Sequence, residues 1–393
     1  DDEDASAELG RLPRDLHLQE KDSSLETDKE MKEAEVTSCK NFLADTLEKK
    51  NREVENVFSH GKPYVTYLLI VINVLMYIFL ELSGGSSSID TLIELGAKYN
   101  PDIINGEWWR IISSMFLHIG FLHLAMNMLA IFYLGTAVER IYGGTRFLII
   151  YFLAGIGGGL ASFAFTTSVS AGASGAIFGL FGALLFFGLI YKRIFLQTIG
   201  QNILFILLIN IVFGFLVAQI DMGAHLGGLL AGFIASAVVH LPQKRAYKLQ
   251  IPAFLLYLLF IAGLITFGIA NNVNSQSYQL MQMEQLLADE KYEEAVDIAT
   301  RALDMEGDLE APILFQRSYA YIELTEIDRA ITDLEQSIQS KNPLPEAYYN
   351  LALLYFNDGR IEEAREMISN AFEMEPEVEA YKSLYEEITG ESP

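Results

Sequence analysis

The run Ala224-His225-Leu226-Gly227-Gly228-Leu229-Leu230-Ala231-Gly232 decides how this chain folds. It belongs to a membrane-length apolar segment interrupted by one imidazole, and Gly228 and Gly232 are spaced to share one helix face. A helix bare of side chains along one stripe is suited to backbone-to-backbone contact. The matching surface is Gly172-Ala173-Ser174-Gly175, continued by Gly179 and Gly182, in another apolar segment. Contact between the two segments would bring the Ser174 hydroxyl to the His225 imidazole. Polar groups in hydrocarbon are costly and usually mark function.

The composition agrees with a membrane setting. Hydrophobic residues make up 51% of the 393 positions and the mean hydropathy is positive, too greasy for a soluble protein of this size. The net charge of -24 is not spread evenly. Acidic residues gather in the first ~60 and last ~120 positions, so a membrane core lies between two acidic soluble ends. Such ends exclude nucleic acid as a partner, since that needs basic patches. Cys39 is the single cysteine, which rules out an intramolecular disulfide. The chain opens Asp-Asp-Glu-Asp without Met, as a piece of a longer protein would, and shows no cleavable signal peptide.

Seven apolar stretches approach the ~20 residues that a bilayer span requires. They fall near 64–83, 113–134, 147–167, 172–190, 199–218, 223–240 and 251–270. The expected layout is an acidic cytoplasmic segment over 1–63, a six-span core over 64–240, a seventh transmembrane helix over 251–270 and repeats over 275–390. The fold class is all-α, a polytopic helix bundle with a C-terminal α-solenoid. Lys49, Lys50, Arg52 and Lys62 precede the first span; Arg140 and Arg146, Lys192 and Arg193, and Lys244, Arg245 and Lys248 follow alternate spans. The intervening loops are poor in basic residues, and the long loop Ser83–Ile112 has only Lys98 and Arg110. The positive-inside rule then puts the N-terminus in the cytoplasm and the repeats outside. Trp108 and Trp109 suit the membrane interface, and that loop is too long for a bare connector.

The tail shows internal similarity. Tyr292-Glu293-Glu294-Ala295, Ile327-Asp328-Arg329-Ala330 and Ile361-Glu362-Glu363-Ala364 recur about 34 residues apart, the period of the tetratricopeptide repeat. Three units are about the fewest that stack into a stable core, and the first is degenerate.

The polar residues of the core form a parts list for acyl transfer. A serine hydroxyl needs a base to take its proton, and histidine titrates in the right range. Attack on a peptide carbonyl makes an oxyanion that needs fixed donors. His123 and Asn127, four apart on one helix face, can supply them together with the Ser174 N–H. Asp221 lies one turn before His225 at the outer loop, so a Ser-His dyad is expected rather than a triad. Each piece alone has a plainer reading. Gly-x-Ser-Gly is a packing motif in many greasy helices, a lone histidine is often a helix–helix bond, and His118 reads as structural. The joint occurrence in three separate spans argues for catalysis.

These residues carry a resemblance to the rhomboid intramembrane serine proteases, in particular the GluP-like seven-span bacterial type with a tetratricopeptide tail. The match runs from about Gly96 to Gly232. It includes Gly106-Glu107-x-Trp109-Arg110, Phe116-Leu117-His118, His123-x-x-x-Asn127, Tyr133-Leu134-Gly135, Glu139-Arg140, Gly172-Ala173-Ser174-Gly175 and Ala224-His225-x-x-Gly228-x-x-x-Gly232. The resemblance implies Ser174 as nucleophile, His225 as general base, and His123, Asn127 and the Ser174 N–H around the oxyanion. It implies that Gly172 shapes the turn, that Trp109 and Arg110 are structural in the first loop, and that Glu139 makes a cytoplasmic-side contact. Phe178 stands where some members carry tyrosine; a phenyl ring still packs on His225 but brings no hydroxyl.

The function implied is hydrolysis of peptide bonds in or near transmembrane segments of membrane proteins, in a bacterial cell membrane, with no cofactor and no metal. A substrate helix would enter sideways past the fifth span and unwind, since a helix hides its carbonyls. The partners are then transmembrane substrates, the lipid bilayer, and a protein docked on the repeats. The alternative is a non-proteolytic rhomboid-like client binder or an adaptor, although the former would normally lack the serine or the histidine. Carboxylates at Asp1–Asp4 or Glu26–Glu35 are candidates for weak divalent-cation binding, with a solvated acidic surface as the plainer reading.

Overall fold

The computed structural model describes residues 25–217, 219–242 and 246–390. Asp1–Asp4, and the side chains of Glu26, Glu30 and Glu33, lie outside the described residues. Among the described residues, no group of three His, Cys, Asp or Glu side chains is placed to hold a metal ion. The chain divides after Val57 into two units. The first contains one long helix, α1 (Leu25–Val57), with exposed side chains along nearly all of its described length.

The second unit holds the membrane helices. α2 (Tyr64–Leu82) leads into the long first loop, which folds into short helices α3 (Ile89–Glu94), α4 (Asn100–Ile104) and α5 (Arg110–Ser113). α6 (Phe121–Ala130) continues through a π-helical turn, Ile131–Gly135, into α7 (Thr136–Tyr142). α8 (Gly144–Phe165), α9 (Ser174–Ile190), α10 (Lys192–Thr198), α11 (Gly200–Leu216), α12 (Met222–Val239) and α13 (Tyr247–Val273) follow. Among the described residues, five rods are long and apolar enough to cross a membrane alone: α2, the joined α6–α7, α8, α12 and α13. α10 and α11 qualify together, bent by 75°, and α9 is a shorter apolar helix of 17 residues. The chain is a multi-pass helical membrane protein.

Several expected boundaries move: the third span begins at Gly144, not at 147, the seventh runs Tyr247–Val273, not 251–270, and two shifts have a clear cause. The second span begins at Phe121, not at 113, and runs to Tyr142. Ser114–Phe116 form a 3-10 turn, and Gly120, at φ +76°, redirects the chain before the rod starts. Met115 and Leu117 are apolar because they are buried inside the protein, a use that hydropathy does not separate from lipid contact. The fourth span begins at Ser174, not at 172, because Gly172 sits at φ +146°, outside the helical region. Ser174 therefore opens its helix and does not lie within it.

Glycine sets the centre of the bundle, where α8, α9 and α12 meet. A Cβ on Gly228 would stand 2.0 Å from the Gly175 carbonyl oxygen, and one on Gly232 would stand 2.2 Å from that of Gly179. Gly158 of α8 closes the triangle, its notional Cβ 2.8 Å from the Ala224 oxygen and 3.1 Å from Gly175 Cα. Such approach is open only to residues without side chains.

Buried polar side chains hold the rest. Glu139 accepts from the Val65 and Thr66 amides at 3.0 and 2.8 Å and from the Thr66 hydroxyl at 2.7 Å, capping α2. Arg110 pins the first loop by pairing with Asp102 and Glu107 and donating to the Ile93 and Ala97 carbonyls. The Trp109 ring fills the space at Gly96. The end of α13 docks on the same loop. Asn272 accepts from Asn100 Nδ2 at 2.6 Å and donates to the Phe163 and Gly268 carbonyls.

Helices α14 (Gln276–Ala288), α15 (Tyr292–Leu303), α16 (Glu310–Glu323), α17 (Ile327–Gln339), α18 (Pro345–Asn357), α19 (Ile361–Met374) and α20 (Glu379–Thr389) form the tail. The recurring Ala295, Ala330 and Ala364 are fully buried where paired helices meet. The bidentate Arg317–Asp333 pair, at 2.7 and 2.8 Å, ties α16 to α17.

Candidate active site

The chain reaches Ser174 through a tight loop, residues 166–173. Gly172 adopts the glycine-favoured φ of +146° and donates its N–H to the Ser114 carbonyl at 2.9 Å. A Cβ there would strike the His123 ring, 2.8 Å from Cε1 and 3.0 Å from Nε2. The turn therefore needs glycine both for its backbone angle and for the imidazole packed against it. Ser174 is the first residue of α9, so its N–H is among the unpaired donors at a helix N-terminus, where the peptide dipoles favour negative charge.

α9 and α12 run parallel: Gly175 lies against Ala224 and Gly228, and Gly179 against Gly228 and Gly232. Their N-termini are thus adjacent, and Gly175 is level with His225. Phe178, one turn after Ser174 on the same face, stacks on the His225 ring with centroids 4.0 Å apart and planes 15° apart. Aromatic side chains on a helix lean back toward its N-terminus. The imidazole therefore lies over the first turn of α9, on the face that presents Ser174. No hydrogen bond joins Ser174 to His225, and His225 Nδ1 is buried without a protein partner. Catalytic hydrogen bonds are often long in unliganded sites and tighten with substrate.

His123 and Asn127 share a face of α6, and His123 reaches the serine loop at Gly172. Asn127 donates one amide hydrogen to the His123 carbonyl at 2.9 Å, which leaves its second hydrogen for another acceptor. His118 is fully buried 5.3 Å from the His123 ring, behind the site. Ser174 also lines a cavity of about 20 Å³, room for one water, with Lys98, Ser114, Ser162, Ser170 and Gly172.

No hydrogen bond joins the Asp221 carboxylate to the His225 ring. The carboxylate caps α12, accepting from the Ala224 N–H at 2.9 Å, the Thr166 hydroxyl at 3.0 Å and the Ser162 hydroxyl. Burial alone would raise its pKa, but the Ser162 and Ala224 bonds, the Lys98 charge and the Ser170 hydroxyl outweigh burial and hold it below the usual carboxylate range. Lys98 is a residue that motif reasoning passed over. It is 1% exposed and donates to two loop carbonyls. The available signal was its position: it is one of only two basic residues in a loop that the positive-inside rule keeps poor in them.

A serine at the head of one buried helix, an imidazole laid over that helix's first turn, and a histidine–asparagine face beside the turn define a polytopic membrane protein with a hydrolase-like polar site. The chain belongs to the rhomboid family. A Rhomboid domain profile matches residues 105–242, and a tetratricopeptide repeat profile matches residues 321–388. "Rhomboid protease GluP" of Bacillus subtilis is 42% identical over 316 residues, 80% of this chain and 62% of that protein. "Putative rhomboid protease YdcA" of the same organism is 36% identical over 189 residues, 47% of this chain and 92% of that protein. "RHOMBOID-like protein 5" of Arabidopsis thaliana is 40% identical over 171 residues, 41% of this chain and 53% of that protein. The chain thus spans less than two thirds of the length of the first and third of these relatives.

Proposed function

We propose that this chain is an intramembrane serine endopeptidase that cuts membrane proteins in or near their transmembrane segments. The observation that carries the reading is the glycine-to-glycine contact of α9 and α12, with His225 stacked on Phe178 one turn after Ser174. In this reading His225 takes the Ser174 proton as the hydroxyl attacks a peptide carbonyl. The tetrahedral oxyanion is met by the Ser174 N–H, the free Asn127 amide hydrogen and His123. His225 then protonates the leaving amine, and water hydrolyses the acyl-enzyme. The pair works as a dyad, since Asp221 is occupied in capping.

The expected setting is a bacterial cell membrane, with the N-terminus in the cytoplasm and the repeats outside, as the loop charges favour. A six-span core over 64–240, a seventh helix over 251–270 and repeats over 275–390 are the corresponding domains. The repeats would bind a substrate or partner protein. Ser174→Ala tests the reading: it should abolish cleavage of a co-expressed single-span reporter while insertion persists. Undiminished cleavage by that variant would falsify it.

A further inference from the structure

Lysines in loops usually carry their charged head to water along an apolar stem. Lys98 carries its head inward. Its Nζ donates to the Thr166 carbonyl at 2.9 Å and the Ser168 carbonyl at 2.7 Å. Its backbone pairs with Ser170 in both directions, at 2.9 and 3.0 Å. Both ends of this residue therefore grip the loop that connects α8 to Ser174.

Thr166 passes the restraint on. Its carbonyl takes the Lys98 ammonium and, at 2.9 Å, the Asn100 amide; its hydroxyl donates to Asp221 Oδ1 at 3.0 Å. Asp221 in turn caps the helix that bears His225. A continuous set of hydrogen bonds thus runs from Lys98 through Thr166 to Asp221. It joins the loop ending at Ser174 to the start of α12 by a route independent of the glycine contacts.

We propose that Lys98 is a positioning residue for the Ser174–His225 pair, its ammonium acting through the Thr166–Asp221 link to fix the serine loop against the head of α12. This rests on the serine–histidine reading above. A buried cation is a costly way to fill space. Charge-assisted donors to two carbonyls, with attraction to Asp221, give a stiffer clamp than a neutral side chain would. The charged group that acts on Lys98 is Asp221; Arg110, which bonds the neighbouring Ala97 carbonyl, is paired with Asp102 and Glu107, and His123 stands across the loop at Gly172. Burial lowers the Lys98 pKa to about 8, with Asp221 pulling the other way. The residue is therefore mainly charged at pH 7 and neutral well above pH 8. Neutralisation weakens the donors and removes the attraction to Asp221.

The test uses the full chain in liposomes with a single-span reporter, measuring kcat and KM separately from pH 6.5 to 9.5, with Ser174→Ala as control. Lys98→Met is expected to lower kcat per folded molecule at least about tenfold with KM nearly unchanged, since the serine is misplaced and not the substrate. Thr166→Val, nearly isosteric, should lower kcat in the same sense but less. In the unaltered protein kcat should fall above about pH 8, and Lys98→Arg, whose charge does not titrate there, should remove that fall. Wild-type kcat in folded Lys98→Met overturns the proposal. If that variant does not fold, a flat kcat from pH 7 to 9.5 in the unaltered protein overturns it. Residual cleavage by Ser174→Ala would instead sink the serine reading itself, so the two failures are separable.

Discussion

Phe178 and His225 lie ring on ring, 4.0 Å between centroids and 15° between planes, although they come from different helices. Many hydrolases orient the base with a carboxylate. Here Asp221 is engaged at the α12 cap, and a flat aromatic surface holds the imidazole in its place. Removing that surface should free the ring to rotate without disturbing substrate contacts. Phe178→Ala is expected to reduce kcat about ten- to a hundredfold with little change in KM, since misplacement of about 1 Å at a reacting group is that costly. Phe178→Tyr keeps the stacking face and should remain active. Steady-state cleavage rates of the two variants in liposomes check this; equal loss in both would deny the stacking role.

The glycine contact gives a graded test. In Gly228→Ala the added methyl would meet the Gly175 carbonyl oxygen at 2.0 Å, and in Gly232→Ala that of Gly179 at 2.2 Å. Backbone cannot yield there without separating α9 from α12, so both variants should lose cleavage about a hundredfold or more. Gly263→Ala is the control: nothing lies within 4 Å of its notional Cβ, and alanine is the better helix former. Its activity and thermal midpoint should match or slightly exceed those of the parent. Helical content by circular dichroism distinguishes a shifted pair of helices from an unfolded protein.

Much of this arrangement is legible in the sequence. Gly228, Gly232, Gly175 and Gly179 announced a helix contact because absent side chains in an apolar run have few other uses. The recurring Ala295, Ala330 and Ala364 announced the repeats because each must lie where two helices cross. Met115 and Leu117 misled because burial in protein and burial in lipid select the same side chains. The start of α9 is hidden from the sequence because helical periodicity is silent about φ at Gly172. Thr166 and Asn272 leave no trace in the sequence, because their partners are carbonyls and loop side chains distant along the chain, and Lys98 is marked only by being a rare basic residue in its loop.

Asp221 makes stability depend on pH in a predictable sense. Its folded pKa lies below the ordinary carboxylate value because the Ser162 and Ala224 donors, the Lys98 charge and the Ser170 hydroxyl favour the anion more than burial opposes it. A depressed folded pKa means that the unfolded chain takes up its proton first as pH falls. The stabilisation is therefore complete above about pH 5, beyond the unfolded value near 3.9, and drains away as pH drops toward the folded pKa. Asp221→Asn should be less stable at pH 7 and should lose part of the acid sensitivity. Thermal unfolding of both proteins between pH 3 and 7 checks it; parallel curves would count against the capping role.

Glu139 separates stability from catalysis. Its carboxylate is 1% exposed and accepts three hydrogen bonds from the first turn of α2, at the end where the helix dipole favours an anion. Gln has one oxygen to offer where the carboxylate has two, and its amide would face the donors of Val65 or Thr66. Glu139→Gln should therefore destabilise the fold by about 2–4 kcal/mol, the range for stranding buried donors and removing a hydrogen-bonded charge. Thr66→Val removes only the 2.7 Å hydroxyl bond and should lose about 1 kcal/mol. Glu139 lies on α7, beyond the π turn from His123 and Asn127, so molecules that remain folded should cleave at the parent rate. Thermal midpoints in detergent, read beside kcat at a temperature below both transitions, test the two halves of the claim. A fall in kcat without a fall in midpoint would place Glu139 in the catalytic machinery instead.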